Sequence, residues 1–501
     1  MLKKIRKAFS NTSNWKLYFI TALIVRGLIW GYFEHIAQTN VSAEHRINSY
    51  VLNGDYGFFF KPVDKYYTSG TFSYLDNKPY TGRLPGYSAV YFLFRLVLSP
   101  SAALFAVIIL QFLLSALSVY VLALLAGRIF NSTRCFHITY WLYLIAAFPG
   151  FLDFYVLAES FSLSTLIFSL YYVTSYLLHT DNKKALVLSG LFLAITIFLR
   201  EYTGLLLVLF PAVIGIYNLF ILKNGFAKAV VACLLFCLPF IVFDTAWIVR
   251  NYMGTKKFIP ITTSDNDAYG KSYSAGWGSL DNLVYNWGEN ATPFVKTTIA
   301  HYFRYPKENT KPVFPQRIFN NVTTYNKDSL VSLHNLYGTF LATTDTVEAA
   351  RIDKRIVDLC TIYQDDYTSH HTFSYWFVKP AKNLGFLVLS NGAVNLPFPA
   401  YEATPFTQKI IKLFFVVFYY TLVLLGFIGM LWYFFIKRNG TVTSWLIMLV
   451  AFIVPATVVF FNPIQEAKYF VHAFVILLFF ASWLISELVT LFTSRAPKQS
   501  S

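Results

Sequence analysis

The sequence has little charge, and less acid than base. Only 13% of its 501 residues are Asp, Glu, Lys or Arg while 56% are hydrophobic, and 25 acidic residues stand against 41 basic ones. Soluble domains carry about a quarter charged residues. A water-soluble globule is therefore excluded, and a polytopic membrane protein follows, with its backbone polar groups satisfied inside helices. With four cysteines, a disulfide scaffold is excluded too: Cys135 opens an apolar run, Cys233 and Cys237 share a helix face with no polar partner nearby, and Cys360 stands alone in a polar region. There is no internal repeat, no low-complexity run and no Walker or Rossmann glycine loop, which argues against an energy-coupled pump or a cytosolic nucleotide-sugar site. The opening MLKKIRKAFSNTSNWK lacks an apolar stretch ending in a small-residue cleavage site, so the first span is expected to stay as an anchor.

A net charge of +16 would suit nucleic acid, but its placement speaks against such a partner. Lys3, Lys4, Arg6 and Lys7, then Arg128 and Arg134, Lys183 and Lys184, Lys223 and Lys228, Lys437 and Arg438, and finally Arg495 and Lys498 fall in short turns on one side of the apolar runs. This is the positive-inside pattern, and it puts both termini in the cytoplasm. Apolar runs near 15–33, 101–127, 135–150, 160–178, 184–199, 202–222, 227–249, 410–436, 443–461 and 467–489 predict about 10–11 spans. A further crossing at 86–98 would invert every later basic turn. The segment PGYSAVYFLFRLVLS is therefore expected to dip into or lie along the outer leaflet without crossing, as a half-helix with Pro85 in its first turn and Gly86 permitting close approach.

The expected fold is an all-α polytopic membrane bundle with a small mixed α/β extracytoplasmic domain. Residues 1–249 form an N-terminal membrane module whose first outer loop is 34–100, residues 250–408 the outer domain, and 409–501 the C-terminal membrane helices. The strand reading rests on pieces such as KKFIPITT. In DTVEAARIDKRIVDLCTIY, Val347, Ile352, Ile356 and Leu359 fall near one helical face.

Ionisable residues gather at the outer ends of the spans: Asp55, Asp64 and Arg83, then Asp153 and Glu159, Arg200 and Glu201, Arg250 beside Asn251, and Glu466, Lys468 and Tyr469. Singly, such residues are often snorkelling anchors or surface ion pairs; as a ring near a bilayer they mark a functional site. The ring pairs general bases with cations at the height of a lipid phosphate. Sugar transfer from a lipid phosphate needs both, a carboxylate to take the acceptor proton and a cation for the departing phosphate. Asp55 in NGDYGFFF reads first as a turn residue, with the base role as its alternative. His370 and His371 read as solvated loop residues rather than metal ligands, and the aromatic YSAGWG at 273–278 as packed or interfacial, with sugar stacking as the alternative.

The stretches VDKYYTSGTFSY and YTGRLPGYSAVYF resemble the first outer loop of GT-C glycosyltransferases, in the bacterial protein-mannosyltransferase-like and aminoarabinose-transferase-like branch. LAESFSLSTLIFSLYY, GLFLAITIFLREYTGLLLVLFP, WIVRNYMGTKKFIPITTSDNDAYG and FNPIQEAKYFVHAFVILLFF follow in the family's order. The resemblance covers nearly all of the chain outside about 280–400. It implies a cell-envelope enzyme of the bacterial inner (plasma) membrane, active on its outer side. Such an enzyme transfers a hexose or pentose, with inversion, from a polyprenyl-phosphate donor to a hydroxyl of an extracytoplasmic glycan, lipid or protein, as in polysaccharide biosynthesis. A first-loop aspartate is the family's base, and Asp64 occupies the matching position. Glu159 is the second catalytic candidate, and Arg83, Tyr66, Tyr87, Arg200, Arg250, Asn251, Lys468 and Tyr469 are the substrate-binding candidates. No nucleotide or redox cofactor is implied and no metal ligand is assigned. Ser88 and Glu201 stand where the family commonly has proline, and no paired acid precedes the tyrosines, which leaves a divalent metal open. The alternatives are a transporter or flippase of lipid-linked glycans, a polysaccharide polymerase or ligase, and a non-catalytic scaffold. Charges at span ends and the lack of repeats weigh against transport.

Overall fold

The first described helix, α1 (Trp15–Asn40), is apolar along most of its length. In the computed structural model the residues described are 14–43, 46–47, 50–51, 55–75, 79–179, 182–261, 271, 274–289, 296–308, 310, 312–390, 404–462 and 466–495. After α1 comes a two-residue antiparallel hairpin, β1 (Arg46–Ile47) and β2 (Tyr50–Val51), then α2 (Tyr56–Ser69) and α3 (Gly86–Arg95). The membrane helices follow: α4 (Pro100–Ile129), α5 (Thr133–Ile145) with the short α6 (Ala147–Phe151), α7 (Ala158–Leu178), α8 (Lys183–Leu199), α9 (Leu206–Ile216) and α10 (Phe226–Thr255). A helical region comprises α11 (Ala275–Asn286), α12 (Ile299–Arg304), α13 (Lys327–Ala342), α14 (Thr346–His370) and α15 (Lys379–Leu389). The chain returns to the bundle through α16 (Phe406–Leu431), α17 (Val442–Phe461) and α18 (Val471–Arg495).

Eight helical stretches among the described residues are long and apolar enough to cross a bilayer, so the chain is a multi-pass membrane protein. Two shorter ones, α8 with 17 residues and α5 with 13, complete the ten apolar runs seen in the sequence. The 10 residues of α3 span about 15 Å, half of a hydrocarbon core of about 30 Å.

Lipid tails are as apolar as leucine, so helices in a bilayer associate by close packing and small residues rather than by hydrophobic exclusion. Gly190 of α8 sits so near α10 that a Cβ there would collide with the Phe236 carbonyl, and Gly426 and Gly429 of α16 press likewise on the Leu477 and Phe480 carbonyls of α18. Gly86 at the head of α3 meets the Phe198 carbonyl of α8 in the same way, which is the close approach expected of it.

The mixed α/β character of the outer region is not found. Among the described residues of 250–408 there are helices and no strand. The physical reason is visible in the strand-like KKFIPITT. Its backbone groups are claimed by side chains of α10: Asp244 accepts from the Ile261 amide (3.0 Å), Trp247 Nε1 donates to the Ile261 carbonyl (2.7 Å) and Asn251 Nδ2 to the Ile259 carbonyl (3.2 Å). Residues 262 and 263 lie outside those described. The amphipathic helix predicted at 345–363 is α14, with Asp345 capping the Val347 and Glu348 amides. Ala349, Ile352, Ile356, Cys360, Tyr363 and Tyr367 form its buried stripe, packed with Trp277, Leu280 and Tyr337. Val347, five residues before Ile352, falls off that stripe and is exposed. At the far end, α15 packs on the bundle instead, and Leu387 belongs to the bundle's core.

All four cysteines are free. His370 pairs with Asp366 one turn back, and His371 lies 2.6 Å from the Asn320 carbonyl. In the aromatic stretch at 273–278, Trp277 is buried in the outer core, whereas Tyr273 lies outside the described residues.

Candidate functional site

Four chain breaks meet at one end of the bundle. Helix α8 stops at Leu199, and Arg200 takes an extended conformation (φ −146°, ψ 101°) before a single 3-10 turn at Glu201–Thr203. Asp55 precedes α2, Glu159 lies in the first turn of α7, and Lys468 sits in a 3-10 turn, Ala467–Phe470, that leads into α18. A helix N-terminus favours a carboxylate, which suits Glu159.

These residues form one buried ionic cluster. Arg200 Nη2 donates to Glu159 Oε2 at 2.5 Å and lies 3.8 Å from Asp55 Oδ2. Lys468 Nζ donates to Asp55 Oδ2 at 2.9 Å and lies 2.6 Å from Glu466 Oε2 and 3.9 Å from Glu159 Oε1. Arg83 Nη1 donates to Glu201 Oε1 at 3.2 Å. Glu159, Arg200 and Lys468 are buried, while the Asp55 side chain keeps 20% of its surface. Burial by itself would raise the Asp55 pKa. The cations Lys468, Arg83 and Arg200 outweigh that and hold it well below the usual carboxylate range.

Arg200 joins the cluster to a polar cavity of about 340 Å³, which Arg83, Glu201, Tyr202, Asn462 and Tyr469 also line. A second, apolar groove of about 750 Å³ lies between α3, α8 and α10, walled by Pro85, Gly86, Phe198 and Trp247 with Arg250 among its lining. Arg83 faces the polar cavity and Pro85 and Gly86 the apolar one, so the tight entry to α3 forms the sill between them. This accounts for an arginine, a proline and a glycine at the lip of the bilayer.

The other candidates fall outside the ionic cluster. Asp64, on α2, accepts from Tyr91 Oη (3.0 Å) and Arg95 Nε (3.2 Å) on α3 and is 44% exposed. Tyr66 lines the apolar groove and rests edge-on against Phe92. Tyr87 is buried and donates to Gln111 Oε1 at 3.1 Å, a core contact rather than a surface for substrate. Arg250 is used as a clamp: it donates to the Tyr80, Phe72 and Asn251 oxygens at 2.6, 3.0 and 2.9 Å and lies between the Phe72 and Trp247 rings. It thereby ties the first loop to α10, and the buried Asn251 assists it. Asp153 leaves the ring altogether, buried against Arg26 of α1 at 2.6 Å and held by Ser115 and Ser160.

Two residues escaped the sequence reading. Arg26, in the middle of the first apolar run, completes the Asp153 pair that anchors the start of α7 next to Glu159. His472, inside the last run, sits 3.1 Å from Ser162 Oγ and 3.4 Å from Tyr202 Oη, behind the cavity wall. An ionisable residue inside a span was the available signal for both. Among the described residues no three His, Cys, Asp or Glu side chains are grouped to hold a metal ion.

No family model matches the sequence, and no curated protein does. Among solved structures, the crystal structure of ArnT from Cupriavidus metallidurans in the apo state is similar at a TM-score of 0.32 and 14% identity, over 98% of this chain and 82% of that one.

Proposed function

We propose that the chain is an integral membrane glycosyltransferase of GT-C type. It moves a sugar from a polyprenyl-phosphate donor to a hydroxyl of an extracytoplasmic acceptor, with its site facing the outside of a bacterial plasma membrane. The observation that carries this reading is the Asp55 carboxylate, partly exposed and set against Lys468 and Arg200 beside a polar cavity, with a lipid-sized apolar groove across the Arg83–Gly86 sill. An isoprenoid chain suits the groove, and its phosphate suits the cations beyond the sill.

The base in this reading is Asp55, in place of Asp64. Asp64 is engaged with Arg95 and Tyr91 on the α3 side and touches no member of the ionic cluster in the described contacts. The cluster holds three cations, Arg83, Arg200 and Lys468, against four carboxylates, Asp55, Glu159, Glu201 and Glu466. Among the described residues it has no surplus positive charge, so a donor phosphate must share cations that Asp55 now holds. That exchange has a chemical use. In the resting site Asp55 is ionised but weakly basic, and when the phosphate draws Lys468 and Arg200 toward itself the carboxylate regains basicity. The acceptor oxygen then bonds to the anomeric carbon as its proton passes to Asp55. The bond from that carbon to the phosphate oxygen breaks with its electron pair on the phosphate, which the cations stabilise. Attack opposite the leaving phosphate inverts the anomeric centre. Glu159 keeps its ion pair with Arg200 as the guanidinium turns from Asp55 toward the phosphate.

The test is turnover in reconstituted protein. Supplied with polyprenyl-phosphate sugars and an envelope extract as acceptor, the wild type should release free polyprenyl phosphate and pass the labelled sugar to an acceptor. A protein that only moves the intact lipid-linked sugar across the bilayer, with no bond broken for any donor, would overturn the reading.

A further inference from the structure

A second apolar groove, of about 520 Å³, lies on the other side of α17 from the polar cavity, between α15, α16 and α18, with Trp376, Leu384, Ala456, Phe460 and Phe470 among its walls. Along α17 it runs from Ala451 to Phe460, about 14 Å of helix, which is close to the depth of one leaflet of a core about 30 Å thick. Trp376, Phe377 and Phe460 are 54%, 63% and 42% exposed, so the groove opens toward lipid.

Beside the groove, Tyr419 and Tyr420 of α16 donate to the Val388 and Leu389 carbonyls and tie the tail of α15 to the middle of α16. At one end, Tyr285 donates to the carbonyl of Val459, a wall residue. Over Tyr285 and Tyr375 lies the Lys379 ammonium, 4.4 and 3.8 Å from the ring centroids. Lys379 is buried, its polar neighbour is Asn286 Oδ1 at 3.5 Å, and no carboxylate pairs with it among the described residues. Burial pushes its pKa down to about 8, as for a cation short of an anion. Trp376 and Pro380, next to it in the chain, are groove walls, and a lysine carries its charge on a flexible four-carbon stem.

We propose that this groove seats an acyl chain of an anionic phospholipid, whose headgroup phosphate takes Lys379 as its counter-ion. The length of the groove matches a single-leaflet chain, its open side faces the bilayer, and its lysine end lacks the negative charge that such a headgroup brings. The site is separate from the groove assigned to the donor and does not depend on transfer chemistry.

The experiment is native mass spectrometry of the full-length protein, titrated with phosphatidylglycerol or with phosphatidylcholine of the same acyl chains. One phosphatidylglycerol should be retained in preference to phosphatidylcholine by roughly fivefold, the worth of one lysine near a headgroup. Lys379→Gln should abolish the preference, and Ala456→Trp, which fills the groove, should lose the tightest-bound lipid. Equal retention of the two lipids by the wild type, or an unchanged preference in Lys379→Gln, would overturn the proposal. If Ala456→Trp fails to fold, Lys379→Gln decides by itself. Polyprenyl phosphate added to the same samples should still bind to both variants. Its failure to bind to the wild type would count against the glycosyltransferase reading and leave the phospholipid result standing.

Discussion

Lys468 donates to Asp55 across 413 residues of sequence, at 2.9 Å, and so pins the first loop to the start of the last helix. If Asp55 is the base, Asp55→Asn removes the basic oxygen while keeping size and hydrogen bonding. Transfer should then fall by a factor on the order of a hundred or more, with donor binding retained. Asp64→Asn should lose far less, since its exposed pair with Arg95 is of the kind worth about 1 kcal/mol or less. Turnover assays on the two variants, side by side, separate the assignments; a loss confined to Asp64→Asn would return the base to that position.

The same pair sets the pH behaviour. The Asp55 pKa is lowered in the folded protein, so its contribution to stability is present above the ordinary carboxylate value of about 4 and is lost as the pH falls through the lowered value. In the free enzyme, kcat/KM on the acid side should therefore show no Asp55 limb at the ordinary value, only one displaced below it. A pH–rate profile bending at pH 4 to 5, and lost in Asp55→Asn, would contradict this.

Arg200 and Glu159 are both buried, at 2.5 Å. Removing one partner of such a pair strands the other, at a cost of about 3–5 kcal/mol. Arg200→Met should lower the unfolding temperature markedly, and the double variant Arg200→Met with Glu159→Gln should recover most of the loss. Arg200→Lys should not substitute for the wild type in donor binding, because a point charge does not reproduce the guanidinium fork.

At Gly86 the prediction concerns the sill. An added methyl group would meet the Phe198 backbone, whereas at Gly278 in α11 nothing lies within 4 Å. Gly86→Ala should cost about 1–3 kcal/mol and weaken lipid binding in the adjoining groove. Gly278→Ala should be neutral or slightly stabilising. Thermal unfolding of the two variants makes the comparison.

The parts of this architecture that depend on local pattern were legible in the sequence. Ten apolar runs and the spacing of Ile352 and Ile356 are local, and so is the shortness of α3. That the described residues of 250–408 form helices and no strand was not legible, because the β-branched KKFIPITT could not reveal that Asp244, Trp247 and Asn251 would claim its backbone. Nor could spacing alone separate Asp55 from Asp64. Their difference lies in which cation reaches them, Lys468 from the far end of the chain or Arg95 from the next helix. Tyr87 and Asn251 looked like site residues because polar groups at a span end resemble one another in sequence. Their burial, Tyr87 against Gln111 of α4 and Asn251 against the Ile259 carbonyl, is a tertiary fact.

The most direct test of the central claim is a structure of the protein with a polyprenyl phosphate bound. The account predicts continuous isoprenoid density in the groove between Gly86 and Trp247, crossing the sill, with the phosphate within hydrogen-bond reach of Arg83, Arg200 or Lys468 and with the contact between Lys468 and Asp55 lengthened. A phosphate lodged elsewhere, with the pair between Lys468 and Asp55 unchanged, would contradict it.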